Sequence, residues 1–185
     1  MKRAERGLLV GRFQPLHRGH LAAIARLRAA LPEGELLLGI GSAQHSYTLE
    51  NPFTAGERME MILRALAEAE LTGVRPIPLI DIDRHAEWVA HVESLLPPFG
   101  RVYTNNPLTR LLFEAGGYAV EELPWVQRAE NEGQRIRQEM AAGEGWRPKL
   151  PPAVVEYLEE IGAENRLRLL AGDSAARGGA SSARS

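Results

Sequence analysis

At 185 residues the chain has room for one domain of about 150 residues and a small appendage. Lys and Arg (22) nearly balance Asp and Glu (24), and the net charge of −2 argues against a general nucleic-acid or membrane binder while leaving room for a local basic pocket. Cysteine is absent, so a disulfide scaffold, a Cys-based zinc site and a thiolate nucleophile are excluded.

Hydrophobic residues at 44% and charged residues at 25% are ordinary globular usage and predict an ordered chain. No run approaches the roughly 18 apolar residues of a membrane span. Residues 1–6 carry the charge of a signal-peptide start, but Leu8-Leu9-Val10 is broken at once by Gly11-Arg12, leaving no apolar core for one. The expectation is a soluble, cytoplasmic protein.

The predicted elements alternate. Residues 7–13 read as a buried strand and 17–31 as a helix whose faces are marked by Leu21, Ile24, Leu27, Arg28 and Leu31. Residues 35–41 are a second strand. A helix over 54–71 opens with a capping box, Thr54 and Glu57 standing three apart. A third strand over 74–80 contains Pro76 and Pro78, which favour an edge or irregular course. Residues 85–96 are helical and 101–104 a short strand. Asn106-Pro107, a cap with Pro at the first helical position, starts a helix over 108–115. Residues 118–123 make the fifth strand.

Five strands alternating with helices imply right-handed crossovers, hence an α/β fold with a mainly parallel open sheet and helices on both faces. After Pro124 the pattern changes to two helices, 132–142 and 152–161, without a strand between them. One domain over 1–171 is expected, with an α/β core at 7–123 and a helical part at 124–171. Residues 172–185, GDSAARGGASSARS, are too small and polar to bury a core and predict a disordered tail.

In an open parallel sheet a ligand binds beyond the carboxyl ends of the strands, where strand order reverses. After the first strand comes Gly11-Arg12-Phe13-Gln14-Pro15-Leu16-His17-Arg18-Gly19-His20, neither a Walker A loop nor a G-x-G-x-x-G turn. Arg12, His17 and His20 surround a strand-to-helix turn, and the two histidines share one side of the first helical turn. Gly19 removes a side chain, and the helix N-terminus adds N–H groups and positive potential. Together these suit a phosphate chain. Spacing alone fits a surface histidine pair equally well, and metal ligation is poorly supported without a third ligand nearby.

The stretch GRFQPLHRGH resembles the HxGH signature of the nucleotidyltransferase superfamily, in the form carried by archaeal-type nicotinamide mononucleotide (NMN) adenylyltransferases. The resemblance continues through Gly41-Ser42-Ala43-Gln44, Leu49-Glu50-Asn51-Pro52-Phe53-Thr54-Ala55-Gly56-Glu57-Arg58, Asp81-Ile82 with Trp88 following, Val92-Glu93-Ser94-Leu95, Asn105-Asn106-Pro107-Leu108 and the C-terminal helices, covering roughly residues 7 to 171. It implies a Rossmann-like fold and the reaction NMN + ATP → NAD + pyrophosphate with Mg²⁺ carried by the ATP phosphates. It also implies nicotinic acid mononucleotide as an alternative substrate and a homo-oligomer, hexameric in form.

The resemblance further implies roles for individual residues. Gly11, Arg12, Phe13, His20 and Asn105 would meet ATP, with Asn106 also facing adenosine, together with Gly133, Gln134, Ile136 and Arg137 on a later helix. Arg12, His17, His20 and Arg137 would serve the transferring phosphate. Ser42, Gln44, Asp81, Ile82 and Trp88 would hold NMN or NAD, Trp88 by stacking on the nicotinamide ring. Spacing alone reads Trp88, with Val92, Leu95 and Leu96, as a core stripe. It reads Arg58 as half of a surface pair with Glu57, Asn106 as a cap, and the Arg137 segment as an exposed capped helix. His45 and His91 have no reading beyond surface or core filling.

In the segment Glu132-Gly133-Gln134-Arg135-Ile136-Arg137 the family pattern's two hydroxyl residues are replaced by Glu132 and Gln134. A carboxylate beside a triphosphate is repulsive unless it turns away or is neutralised, and Arg135 is the expected partner. An NMN phosphate with its second pKa of about 6 would attack as its own anion, needing no protein nucleophile. Two other readings remain: transfer to a different phosphate acceptor such as FMN or pantetheine phosphate, and a nucleotide sensor with reduced turnover.

Overall fold

The strand that opens the fold, β1 (Arg6–Gly11), places Leu8 and Leu9 on opposite faces of the sheet, and both are buried. The computed structural model describes residues 6–123 and 129–181. In chain order, α1 (Arg18–Ala29), β2 (Glu35–Ile40), α2 (Ala55–Glu68), β3 (Val74–Pro78), α3 (His85–Leu95), β4 (Arg101–Tyr103), α4 (Pro107–Ala115) and β5 (Ala119–Glu121) follow β1. Then come α5 (Ala129–Ala142), a 3₁₀ turn (Arg147–Lys149), α6 (Pro152–Glu160) and α7 (Ala163–Ser181). None of these helices is long and apolar enough to cross a membrane.

The sheet order is β3-β2-β1-β4-β5 and every pairing is parallel, with Leu8 opposite Leu37 and Val102 in register. β3, with its two prolines, takes an edge as its composition predicts. Pleating divides the core in two. Leu9, Leu36, Leu38, Ile40 and Tyr103 face α1, α2 and the C-terminal helices, while Leu8, Leu37 and Val102 face α3 and α4. Chain order reverses between β1 and β4, so their carboxyl ends diverge and open a crevice.

Caps set the helix starts that border this crevice. Thr54 Oγ1 accepts from the Glu57 N–H and Glu57 returns a bond to the Thr54 N–H, the expected capping box. Asn106 caps α4 with Pro107 at its first position. α1 is capped by the same reciprocal device built from imidazoles, His17 accepting from the His20 N–H and His20 from the His17 N–H.

Two features depart from the sequence reading. A seventh helix, α7, packs Ala163 and Leu167 into the larger core beside Trp146, Leu150 and Leu158. It continues to Ser181, past residue 172 where the tail is expected to begin; residues 182–185 lie outside the described residues.

Trp146, fully buried with its indole N–H donating to Glu164 at 2.8 Å, joins the α5–α6 connection to α7. Trp146→Ala is expected to lower unfolding free energy by about 3–5 kcal/mol, measured by urea denaturation. A loss under about 1 kcal/mol would show that the C-terminal helices are a dispensable appendage.

Candidate active site

The carboxyl edge of a parallel sheet leaves carbonyls without ladder partners, and loops there need other hydrogen bonds. Three side-chain amides supply them by imitating a neighbouring strand. Gln14 donates to the Phe53 carbonyl at 2.9 Å and accepts from its N–H at 3.1 Å. Gln44 treats Asp81 in the same way at 3.3 and 3.0 Å, and Asn105 treats Leu123 so at 2.8 and 2.7 Å. Each amide therefore fastens one loop to the next.

Arg58 is the other fastener, and it corrects the expected surface pair with Glu57. Its side chain is fully buried, donating to the carbonyls of Arg12 (3.0 Å), Gly41 (2.7 Å), Ser42 (3.0 Å) and Thr54 (3.3 Å). Glu57 instead holds Arg166 of α7 through two 2.7 Å bonds. Burial, reinforced by the nearby Arg12 charge, pulls Arg58 down to about 10 despite the attraction of Asp81, so it remains a cation at neutral pH.

These bonds frame a cleft of about 540 Å³. It is lined by Gly11, Arg12, Phe13, His20, Gly133 and Arg137, with Thr104 and Asn105 just after β4. Ser42, Asp81 and Trp88 line it as well. Asn106, expected toward adenosine as well as at a cap, also lines it, as do Gln14, Thr104, Thr109 and Leu123, which were outside the expected set. Leu123 and Gln14 offer no signal in the sequence, because an apolar strand end and a loop amide are common everywhere.

His17 is buried at 1% exposure, and its ring stacks on His20 with centroids 3.6 Å apart. A Cβ on Gly19 would come within 3.1 Å of the His17 ring, so this glycine makes room for an imidazole. The His20 ring packs edge-on against Phe13 at 5.0 Å. Burial above all, and then the His17 ring, hold His20 well below the usual histidine range, so it is neutral at neutral pH. Because its Nδ1 accepts the His17 N–H at 3.4 Å, the neutral ring carries its proton on Nε2. A pair expected to act by positive charge is thus anchored to backbone, with His20 in the uncharged form.

Arg137 donates to the Gln14 carbonyl at 2.8 Å and the Leu49 carbonyl at 2.9 Å, which aims it into the cleft from α5. Burial and Arg12 depress its pKa, with Glu50 opposing. Of the remaining expected residues, Ile136 lies in the core and Gln134 is exposed away from the cleft lining. Ile82 packs against the smaller core. Gln44 and Asn105 have their amides engaged by backbone, as described.

Trp88 is both a core residue and part of the cleft lining. It is 9% exposed, meets Phe113 edge-on at 5.4 Å, and also lines the cleft. Asp81 accepts from the Ser42 hydroxyl at 2.7 Å, and His91 Nε2 donates to the Ile80 carbonyl at 2.8 Å, steadying the strand end that carries Asp81. Glu132 stands 3.9 Å from Lys149 Nζ, whereas Arg135 pairs with Glu139 at 3.1 Å. The cation beside Glu132 is therefore Lys149.

An open parallel sheet whose switch-point cleft carries arginines, a neutral histidine donor and helix N-termini defines a nucleotide-binding α/β protein. The chain belongs to the cytidylyltransferase-like family, whose profile matches residues 8–140, and within it to the archaeal-type nicotinamide-nucleotide adenylyltransferases. It is 46% identical over 170 residues to the nicotinamide-nucleotide adenylyltransferase of Thermoplasma acidophilum, covering 91% of this chain and 93% of that one. It is 48% identical over 167 residues to the enzyme of that name from Pyrococcus horikoshii, covering 90% and 89%. Among solved structures, a bifunctional NMN adenylyltransferase/ADP ribose pyrophosphatase from Francisella tularensis, complexed with AMP and a manganese ion, superposes with a TM-score of 0.73 at 19% identity. That match covers 92% of this chain and 53% of the other, and shows the shared fold.

The depressed His20 pKa has a pH signature. The unfolded chain takes up the proton near the ordinary value of about 6.5 while the folded ring resists it, so stability is full above that value and declines as pH falls below it. Protonation also removes the Nδ1 acceptor of the α1 cap. The midpoint of urea unfolding is expected to fall between about pH 7.5 and about pH 5.5, and His20→Asn is expected to lessen that fall. An unchanged pH dependence in His20→Asn would rule out His20 as its source.

Proposed function

We propose that the chain transfers AMP from ATP to NMN, giving NAD and pyrophosphate. The observation that supports this best is near-full-length identity of 46–48% to nicotinamide-nucleotide adenylyltransferases, joined to a cleft lined by cationic, aromatic and acidic side chains. The reading extends to residues 1–171 working as one nucleotidyltransferase domain, to a homo-oligomer of the hexameric kind, and to a cytoplasmic setting.

In this mechanism an NMN phosphate oxygen attacks the α-phosphorus of ATP in line. A new P–O bond forms, the bond to the bridging oxygen breaks, and pyrophosphate leaves with the electron pair. The phosphate's second pKa of about 6 makes it dianionic at neutral pH, so no general base is required. The protein's work is alignment and stabilisation of negative charge.

Arg12 and Arg137 supply fixed positive charge on the donor side. Arg137 keeps further N–H donors after its two carbonyl bonds, since a guanidinium has five. His20 donates from Nε2 to a phosphate oxygen without needing to be charged. His17, buried behind it, acts through the stack and the shared cap as a positioning residue. Asp81 with Ser42, and Trp88, hold the acceptor nucleotide, the indole face suiting a cationic ring.

A divalent cation accompanies the triphosphate, and Mg²⁺ is the one proposed. Its ligands would be chiefly the phosphate oxygens of the nucleotide. When bound it supplies neutralisation of the triphosphate.

The test is formation of NAD and pyrophosphate from NMN, ATP and Mg²⁺ by the purified protein. His20→Ala is expected to lower kcat by about 10²–10³, and Trp88→Ala to raise KM for NMN more than it lowers kcat. Consumption of FMN or pantetheine phosphate in place of NMN, or ATP binding without turnover, would overturn the reading. Glu132→Ser should change kcat/KM by less than about threefold, because the carboxylate is half-exposed beside Lys149. A complete loss would reveal an active role for Glu132.

A further inference from the structure

Two loops line the cleft, and both contain backbone that resists its own conformation. Phe13, directly after Arg12, has φ +50°, and Ser42, directly after Gly41, has φ +50°. Neither is glycine, and a left-handed residue of this kind costs on the order of 1 kcal/mol unless its surroundings impose it. The Phe13 turn aims Arg12 and the aromatic edge beneath His20. The Ser42 turn aims the hydroxyl that holds Asp81.

One side chain meets both turns. Nη1 of the buried Arg58 guanidinium donates to both the Arg12 and the Gly41 carbonyls, and Nη2 donates to the Ser42 carbonyl, at 2.7–3.0 Å. Its remaining bond, to the Thr54 carbonyl, ties it to the N-terminus of its own helix. The ends of β1 and β2 therefore meet at a single nitrogen, and the rigid guanidinium plane fixes the next residue, Ser42, relative to both. Arg58 is not among the residues that line the cleft.

We infer that Arg58 is a positioning residue for the transfer step, fixing the distance and angle between the donor loop at Arg12–Phe13 and the acceptor loop at Gly41–Ser42. This inference rests on the proposed adenylyl transfer. Each loop binds its own nucleotide, and the link through Arg58 matters only when the two phosphates must meet. Misplacement of reacting groups by about 1 Å costs about 10²-fold in rate, while each half of the cleft keeps its own contacts.

The experiment compares Arg58→Lys and Arg58→Gln with the unaltered protein. Lysine keeps the charge and loses the fork, and glutamine keeps two N–H donors without charge. Dissociation constants for ATP and for NMN are measured separately by calorimetry, kcat by NAD formation, and amide hydrogen exchange across residues 11–14 and 41–43. The expected result is a kcat lowered about 10²-fold with each separate dissociation constant within about threefold, and faster exchange confined to the two loops.

A folded variant with unchanged kcat overturns the inference. So does a loss of kcat that only tracks the folded fraction, or one matched by equal losses in both dissociation constants. If the unaltered protein forms no NAD, the adenylyl-transfer reading has failed, and the exchange pattern still decides whether Arg58 holds the two loops together. Should lysine prevent folding, the glutamine variant carries the same comparison.

Discussion

A buried cation bonded to uncharged carbonyls is the constraint on which this site depends. Desolvating a guanidinium is costly unless its N–H groups are satisfied, and buried carbonyls left without donors are costly in the same way. Arg58 answers both at once at the carboxyl ends of β1 and β2. Removing it would strand three carbonyls in the interior and release two turns held at positive φ. The sheet therefore ends in a cleft whose walls are bonded to one another through side chains.

The amide side chains extend the same principle to the other boundaries. Gln14, Gln44 and Asn105 each present a donor and an acceptor at the spacing of a peptide unit, so each pairs with the N–H and carbonyl of one residue in the next loop. What resembles a set of ligand-binding amides is a continuation of the sheet by other means. Beside Gln14 and Asn105 the cleft is lined by Arg12, His20, Arg137 and Trp88.

The C-terminal helices matter through two arginines. Arg137 from α5 grips Gln14 and Leu49, while Arg166 from α7 grips Glu57 and the Pro52 carbonyl and lies over the Tyr47 ring at 4.9 Å. The long loop before α2 is thus held from two helices that follow it by about a hundred residues. Its fastening to α5 also brings Gly133 and Arg137 to the cleft, completing a wall that the sheet alone does not provide.

Local chemistry made the strands, their alternation with helices, the edge placement of β3 and the caps at Thr54 and Asn106 readable, because period, proline and capping act over a few residues. The run from Gly11 to His20 located the crevice and pointed to the family for the same reason. Tertiary structure alone decided which polar atoms remain available to a ligand. Gln14 meets Phe53 across 39 positions, Arg58 meets Arg12 across 46, and Arg137 meets Gln14 across 123. Arginine, glutamine and histidine look alike in a sequence whether they face substrate or carry backbone. A hydrogen bond to a distant carbonyl settles which, and that carbonyl is placed only when the whole sheet has closed.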